Sequence, residues 1–239
     1  MKKLLYLFLV LPLLQSCIYK NNWDKTPPGD LTEEIYNLDA FDEVALGSAF
    51  RVVIIPSTEF RLTANGVERD LDDLNVRVIN RTLKVSYVNR NWLSGLSRDR
   101  MDLLIELPDL KVVDISGAAN VEIEDFASFD LLEADVSGAA KLIIDVPMQE
   151  FKSDISGASD IELKQSVPLI RSDLSGASKL LAFDTNAKEV FLELSGASKA
   201  NVSVSDYLNV SASGASTVNY RGTPRIDQEV SGGSKVKKG

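Results

Sequence analysis

Five acidic residues recur at steps of 21, 19, 19 and 20: Asp114, Asp135, Asp154, Asp173 and Glu193. Each stands two residues before a Ser-Gly pair, and Glu229 rejoins the series after Ser211 takes the acid's place. If these residues stack, they form a ladder of carboxylates. Carboxylate oxygens are the ligands that hard cations prefer, so one reading is a Ca²⁺- or glycan-binding ladder. The other is a set of corner caps, each carboxylate accepting bonds from its turn's backbone N–H groups. Like charges at neighbour spacing repel, so the array needs one reason or the other. The glycine-rich nonapeptide of calcium-bound β-rolls is absent, which favours caps.

A second group lies in residues 89–100. Arg90, Trp92, Arg98 and Arg100 make a basic, aromatic stretch on a chain of formal charge −9. Trp and Arg are typical contact anchors. A loop covering the end or side of the body would use the same residues. The chain has no histidine, which removes Ser-His-Asp triads, Cys-His pairs and imidazole zinc sites. The Ser-Gly pairs lack the spacing of a nucleophile elbow. No Walker loop, dinucleotide fingerprint or EF-hand loop is present, so neither a metal nor a cofactor is expected. The acidic balance argues against nucleic acid, whose phosphates need basic stripes.

The elements that must position these residues are repeats. Ser116-Gly117-Ala118, Ser137-Gly138-Ala139, Ser156-Gly157-Ala158, Ser175-Gly176-Ala177, Ser195-Gly196-Ala197 and Ser213-Gly214-Ala215 lead to a worn Ser231-Gly232-Gly233. A period near 19 suits one coil of a β-solenoid. The residue before each serine is apolar in every copy, from Ile115 and Val136 to Val230. Two residues earlier stand Val113, Ala134, Ser153, Ser172, Leu192, Val210 and Gln228. After the motif comes a second column: Val121, Leu142, Ile161, Leu180, Ala200 and Val218. Side chains alternate along a strand, so these columns predict two inward faces per repeat, with acids and serines outward.

Residues 31–108 read as irregular first coils of the same solenoid, with a hairpin turn at Asn80-Arg81. Leu46-Gly47-Ser48-Ala49 reads as a degenerate early copy of the motif. Val67 to Leu74 is the one helix candidate, and its shortness and acidity favour a loop turn. Residues 109–239 are the regular repeats, and 31–239 form one domain.

Residues 1–16 have the pattern of a signal peptide, with Lys2 and Lys3 before an apolar run too short to span a bilayer. Leu14-Gln15-Ser16-Cys17 resembles the bacterial lipobox, which implies cleavage before Cys17 and lipidation of its thiol. The rest of 17–30 is a tether with turn and polyproline chemistry at Thr26-Pro27-Pro28-Gly29-Asp30. Cys17 is the chain's one cysteine, so no internal disulfide forms. Ile18 favours the outer membrane of a Gram-negative envelope. Whether the protein faces the cell surface or the periplasm stays open.

The serial S-G-A-S blocks, among them Asp154-Ile155-Ser156-Gly157-Ala158-Ser159 and Asp173-Leu174-Ser175-Gly176-Ala177-Ser178, resemble the GIN domain family over roughly residues 39–230. With the β-rich N-terminal region and the lipobox, the chain is similar to a lipoprotein form of that family, which is described as an auto-transporter adhesin head. The resemblance implies an all-β, single-chain, right-handed parallel β-helix-like solenoid and transfers no catalytic residue. The expected function is a non-catalytic, lipid-anchored envelope protein that contacts a glycan or protein and can oligomerise. A periplasmic structural or sensing lipoprotein is the alternative. A polysaccharide-degrading β-helix enzyme is disfavoured, because residues 109–239 hold no Trp and the motif columns are small.

Overall fold

The computed structural model describes residues 30–88 and 98–239. Among them the N-terminal region forms β1 (Leu31–Asn37), β2 (Glu43–Gly47), β3 (Arg51–Pro56), β4 (Arg61–Val67), α1 (Glu68–Leu71), β5 (Leu74–Ile79), β6 (Thr82–Tyr87) and β7 (Asp102–Leu107). The repeats form β8 (Val112–Ser116), β9 (Asn120–Glu124), β10 (Phe129–Val136), β11 (Lys141–Asp145), β12 (Met148–Ile155) and β13 (Asp160–Leu163). They continue as β14 (Leu169–Leu174), β15 (Lys179–Leu194), β16 (Lys199–Ala212), β17 (Thr217–Arg221), β18 (Arg225–Val230) and β19 (Lys235–Lys238).

Two parallel stacks run along the molecule as a β-solenoid of about seven turns. The leading stack holds the strands that enter each Ser-Gly corner. Its order is β6, β2, β8, β10, β12, β14, the second halves of β15 and β16, then β18. The trailing stack holds the strands that leave the corner: β7, β3, β9, β11, β13, the first halves of β15 and β16, β17 and β19. The predicted inward columns form the core. Ile115, Val136, Ile155, Leu174 and Leu194 are buried, as are Val121, Leu142, Ile161, Leu180 and Ala200. Ser153 and Ser172 interrupt the apolar set, and their hydroxyls bond to each other at 2.8 Å.

The corner explains the motif. Ser156 N donates to Val136 O at 2.9 Å and Ala158 N to Gly138 O at 2.8 Å, and the other copies repeat these bonds. Gly157 has φ of 74°, and a Cβ there would lie 2.4 Å from Gly138 O. Glycine is therefore required both by backbone conformation and by close stacking. The fourth residue turns inward: Ser159, Ser178, Ser198 and Ser216 are buried. Their hydroxyls stay satisfied; Ser198 Oγ donates to Ser195 O at 2.7 Å and Ser216 Oγ to Ser213 O at 2.9 Å.

The N-terminal region departs from simple first coils. β2 and β3 make a coil, with Leu46 beside Ile115 and Gly47 beside Ser116, as expected of an early motif copy. The chain then doubles back, and β6 and β7 stack on the far side of that coil. Three further strands pair antiparallel: β5 with β6, β4 with β7, and β1 with β4. They extend the N-terminal end of both stacks. The predicted hairpin is β5–β6, and Asn80 and Arg81 take φ of 52° and 66°, as a two-residue type I′ turn requires. The segment expected as a loop turn holds the one-turn helix α1, which buries Asp70 and Leu71.

Candidate functional site

Strict parallel register turns the acidic periodicity into a physical column. Asp135 sits beside Asp114 and Asp154, Asp154 beside Asp173, and Asp173 beside Glu193. All five side chains face outward on the leading stack and are exposed. Neighbouring strands lie about 4.8 Å apart, so the carboxylates crowd one another. Partial burial, then the charges of Asp154, Asp114 and Glu133, and a hydrogen bond shared with Asp154, push the Asp135 carboxyl up. Partial burial, then the charges of Glu193 and Asp154, push Asp173 up.

The corner-cap reading does not survive. Among the described residues no backbone N–H donates to these five carboxylates. The reason lies in the corner itself, whose serine and alanine N–H groups already bond to the carbonyls of the previous coil. Among the described residues no three acids, cysteines or histidines come close enough to hold a metal ion. In-register side chains run side by side and do not converge on one point.

The column opens onto a trough of about 320 Å³, lined by Asp154, Asp173 and Glu193 with Ser156, Ser175, Ser195, Ser211 and Ser213. Ser213 Oγ leans back to Leu194 O at 3.4 Å, as Ser116 Oγ does to Leu46 O at 3.2 Å. Among the described residues the hydroxyls of Ser156, Ser175 and Ser195 bond to no protein group. The middle of the trough thus offers three carboxylates and three unengaged hydroxyls in two parallel rows.

Sequence reasoning missed what borders these rows. Arg171 lies over the Phe191 ring at 4.3 Å, Phe191 meets Tyr207 edge-on at 5.7 Å, and Arg225 covers Tyr207 at 4.9 Å. The signal was available: Arg171 and Phe191 each stand four residues before their serine, and Tyr207 and Arg225 six.

The basic, aromatic group is not assembled as a surface among the described residues. Cys17, Arg90 and Trp92 lie outside them. Arg98 is nearly buried and bonds to Asp70 at 3.4 Å and Asp73 at 3.1 Å. Its guanidinium covers the Tyr87 ring at 3.8 Å. Burial, then the Asp70 charge, pushes the Tyr87 hydroxyl up to about 12, against the pull of Arg98. Asp70 also accepts the Asp99 N–H at 2.9 Å. Arg98 is therefore a strut that neutralises the carboxylate buried by α1. Arg100 is exposed and forks onto Asp102 at 2.6 to 3.0 Å.

Solved structures share this architecture. A putative adhesin from Bacteroides fragilis NCTC 9343 superposes with a TM-score of 0.78 at 20% identity, covering 89% of this chain and 98% of that one. A putative adhesin from Parabacteroides merdae ATCC 43184 gives 0.68 at 19%, covering 88% and 97%. A putative lipid binding protein from Parabacteroides distasonis ATCC 8503 gives 0.63 at 16%, again covering 88% and 97%. At these identities the likeness shows the fold. No curated protein matches the chain. The family profile described as "Putative auto-transporter adhesin, head GIN domain" matches residues 40–224, which hold both stacks from β2 to β17, six of the seven corners and the five-residue acidic column. The chain belongs to this GIN domain family.

Proposed function

We propose that this protein is a non-catalytic, lipid-anchored envelope protein whose solenoid presents the acid and serine trough to a polar, hydroxyl-rich ligand. The observation that carries the reading is the pair of outward rows. Three carboxylates and three unengaged hydroxyls repeat at strand spacing on a backbone whose corners are hydrogen-bonded coil to coil. A glycan chain presents hydroxyls in repeating units and would meet both rows without reorganising the protein, which limits the entropic cost of binding. Cys17 is the lipidation site in this reading, with the outer membrane as the anchoring surface. Arg90, Trp92 and the exposed Arg100 are the secondary contact residues of this reading.

Two measurements test the reading. Radiolabelled fatty acid incorporated by the wild type and lost in Cys17→Ser supports the anchor; equal labelling refutes it. Protease shaving of intact cells, read with an antibody to a C-terminal tag and a lysed-cell control, tests exposure. Loss of the tag on intact cells leads to a glycan screen in which Asp154→Asn/Asp173→Asn/Glu193→Gln should abolish binding. Digestion only after lysis sinks the adhesin reading and favours a periplasmic lipoprotein.

A further inference from the structure

The five large apolar side chains most exposed among the described residues all lie at the ends of the solenoid. Leu31 (71%) and Ile35 (55%) are on β1, Ile79 ends β5, Val88 follows β6, and Val230 ends β18. The flanks of the stacks expose none. The ends are also where strand edges are unpaired. Among the described residues β1 pairs with β4 alone and β19 with β17 alone. These are the two terminal edges of one continuous trailing stack.

The two edges carry opposite charge. β1 reads Leu-Thr-Glu-Glu-Ile-Tyr-Asn, with Glu33 and Glu34, and β19 reads Lys-Val-Lys-Lys. Among the described residues Lys235, Lys237 and Lys238 form no ion pair. Lysine on an edge strand discourages pairing with an uncharged or basic edge. It selects an acidic one, and this molecule has an acidic edge at its other end. Strand direction agrees. β1 is antiparallel to β4 and β4 to β7, while β7 is parallel to its stack through to β19. β1 and β19 therefore run the same way, as successive coils do.

We propose that a second copy of this chain docks head to tail, β1 of one molecule adding to the β19 edge of the next as one more parallel strand. Tyr36 lies opposite buried Leu62, so Leu31, Glu33 and Ile35 face outward. Val236 lies opposite buried Val218, so Lys235 and Lys237 face outward too. In the joint the lysine stems cover Leu31 and Ile35 while their ammonium groups reach Glu33. β5 stands one strand short of β1, so on the leading stack Arg77 faces Asp227 and Glu229 across roughly 10 Å, two strand spacings, and attracts without hydrogen bonding. Such a contact is heterologous and does not close on itself, so repetition gives a filament.

The test uses the full chain in cells, with a short bis-maleimide as cross-linker. Glu33→Cys/Lys235→Cys should give a ladder of dimers, trimers and higher species, and a mixture of the two single variants should give dimers. Cys17 is present in every variant, so the single variants set the background. Glu33→Cys/Lys199→Cys, with its second cysteine on the flank, should stay at that background. A ladder no stronger than this control overturns the proposal. Charge reversal gives an independent arm. Lys235→Glu/Lys237→Glu, in the chain with no added cysteine, should remove the ladder of higher species that native electrophoresis of a mild detergent extract shows for the unsubstituted chain. Adding Glu33→Lys/Glu34→Lys should restore it. Reversal without effect, or without rescue, also overturns the proposal.

Discussion

Replacing Gly157 by alanine should unfold the solenoid locally at its centre, and the size of the effect follows from the corner. Residue 157 sits at φ 74°. Holding an L-residue in the left-handed region costs about 1–2 kcal/mol. The added Cβ would lie 2.4 Å from Gly138 O, so the two coils must part by about 1 Å to reach ordinary contact. That movement stretches Ser156 N–Val136 O (2.9 Å), Ala158 N–Gly138 O (2.8 Å) and Asp160 N–Ala140 O (3.0 Å) beyond good geometry. Each bond contributes about 0.5–1.5 kcal/mol net. The expected loss is about 3–6 kcal/mol, and a domain of this size falls by about 2–4 °C in Tm per kcal/mol. Thermal and urea unfolding followed by far-ultraviolet circular dichroism measures it. Gly233→Ala is the matched control. Gly233 takes no left-handed conformation, and its Cβ would approach nothing nearer than 3.5 Å, so the change should stay within about 0.5 kcal/mol. Gly157→Ala at wild-type stability, or Gly233→Ala as damaging as Gly157→Ala, would refute the account of the corner.

Asp135→Asn should stabilise the protein at pH 7 by about 0.2–1 kcal/mol, because it removes like-charge neighbours from the column. The Asp135 carboxyl is raised in the fold, so its cost is felt at neutral pH and fades as pH falls through that raised value; urea midpoints should converge in acid. Asp42 behaves oppositely. Hydrogen bonds from Arg81 and Lys111 hold its carboxyl down at about 2, so it contributes stability above about pH 4 that disappears as pH falls toward 2. Asp42→Asn should lower stability at pH 7 and flatten the acid limb of the unfolding profile. Arg98→Met keeps much of the side-chain volume but leaves Asp70 buried without its cation, and about 3 kcal/mol should be lost. Arg100→Met, on an exposed pair, should change the urea midpoint hardly at all.

The repeats were legible because a parallel stack converts a step along the sequence into a step along the molecule. Alignment of the copies on Ser-Gly puts Ile115, Val136 and Ile155 in one column from the sequence alone. The N-terminal region has no such rule. β6 and β7 lie beyond β2 and β3, so chain order and stack order disagree there, and antiparallel partners such as Leu62 and Ile105 share no motif. The fate of Arg98 was equally hidden. It reads as a loop arginine until α1 is seen to bury Asp70, which then requires a cation. Nor did the columns reveal that β15 and β16 pass their second corner as single long strands, with register shifts around Ala187 absorbing the bend.

The carboxylate column shows where local reasoning stops. Strand alternation was enough to put Asp154 outward beside Asp135 and Asp173. Whether it caps its turn depended on the direction of N–H groups that the sequence does not display. In this corner those groups point along the solenoid axis to the preceding coil, because Gly157 reverses the chain in a left-handed conformation. The coil-to-coil bonds that make the repeat stackable therefore leave each carboxylate without a backbone N–H partner among the described residues, and the hydroxyls of Ser156, Ser175 and Ser195 facing solvent. Stacking and exposure of polar groups have one cause here. Any substitution that loosened the corner enough to cap the acids would also break the ladder that aligns them.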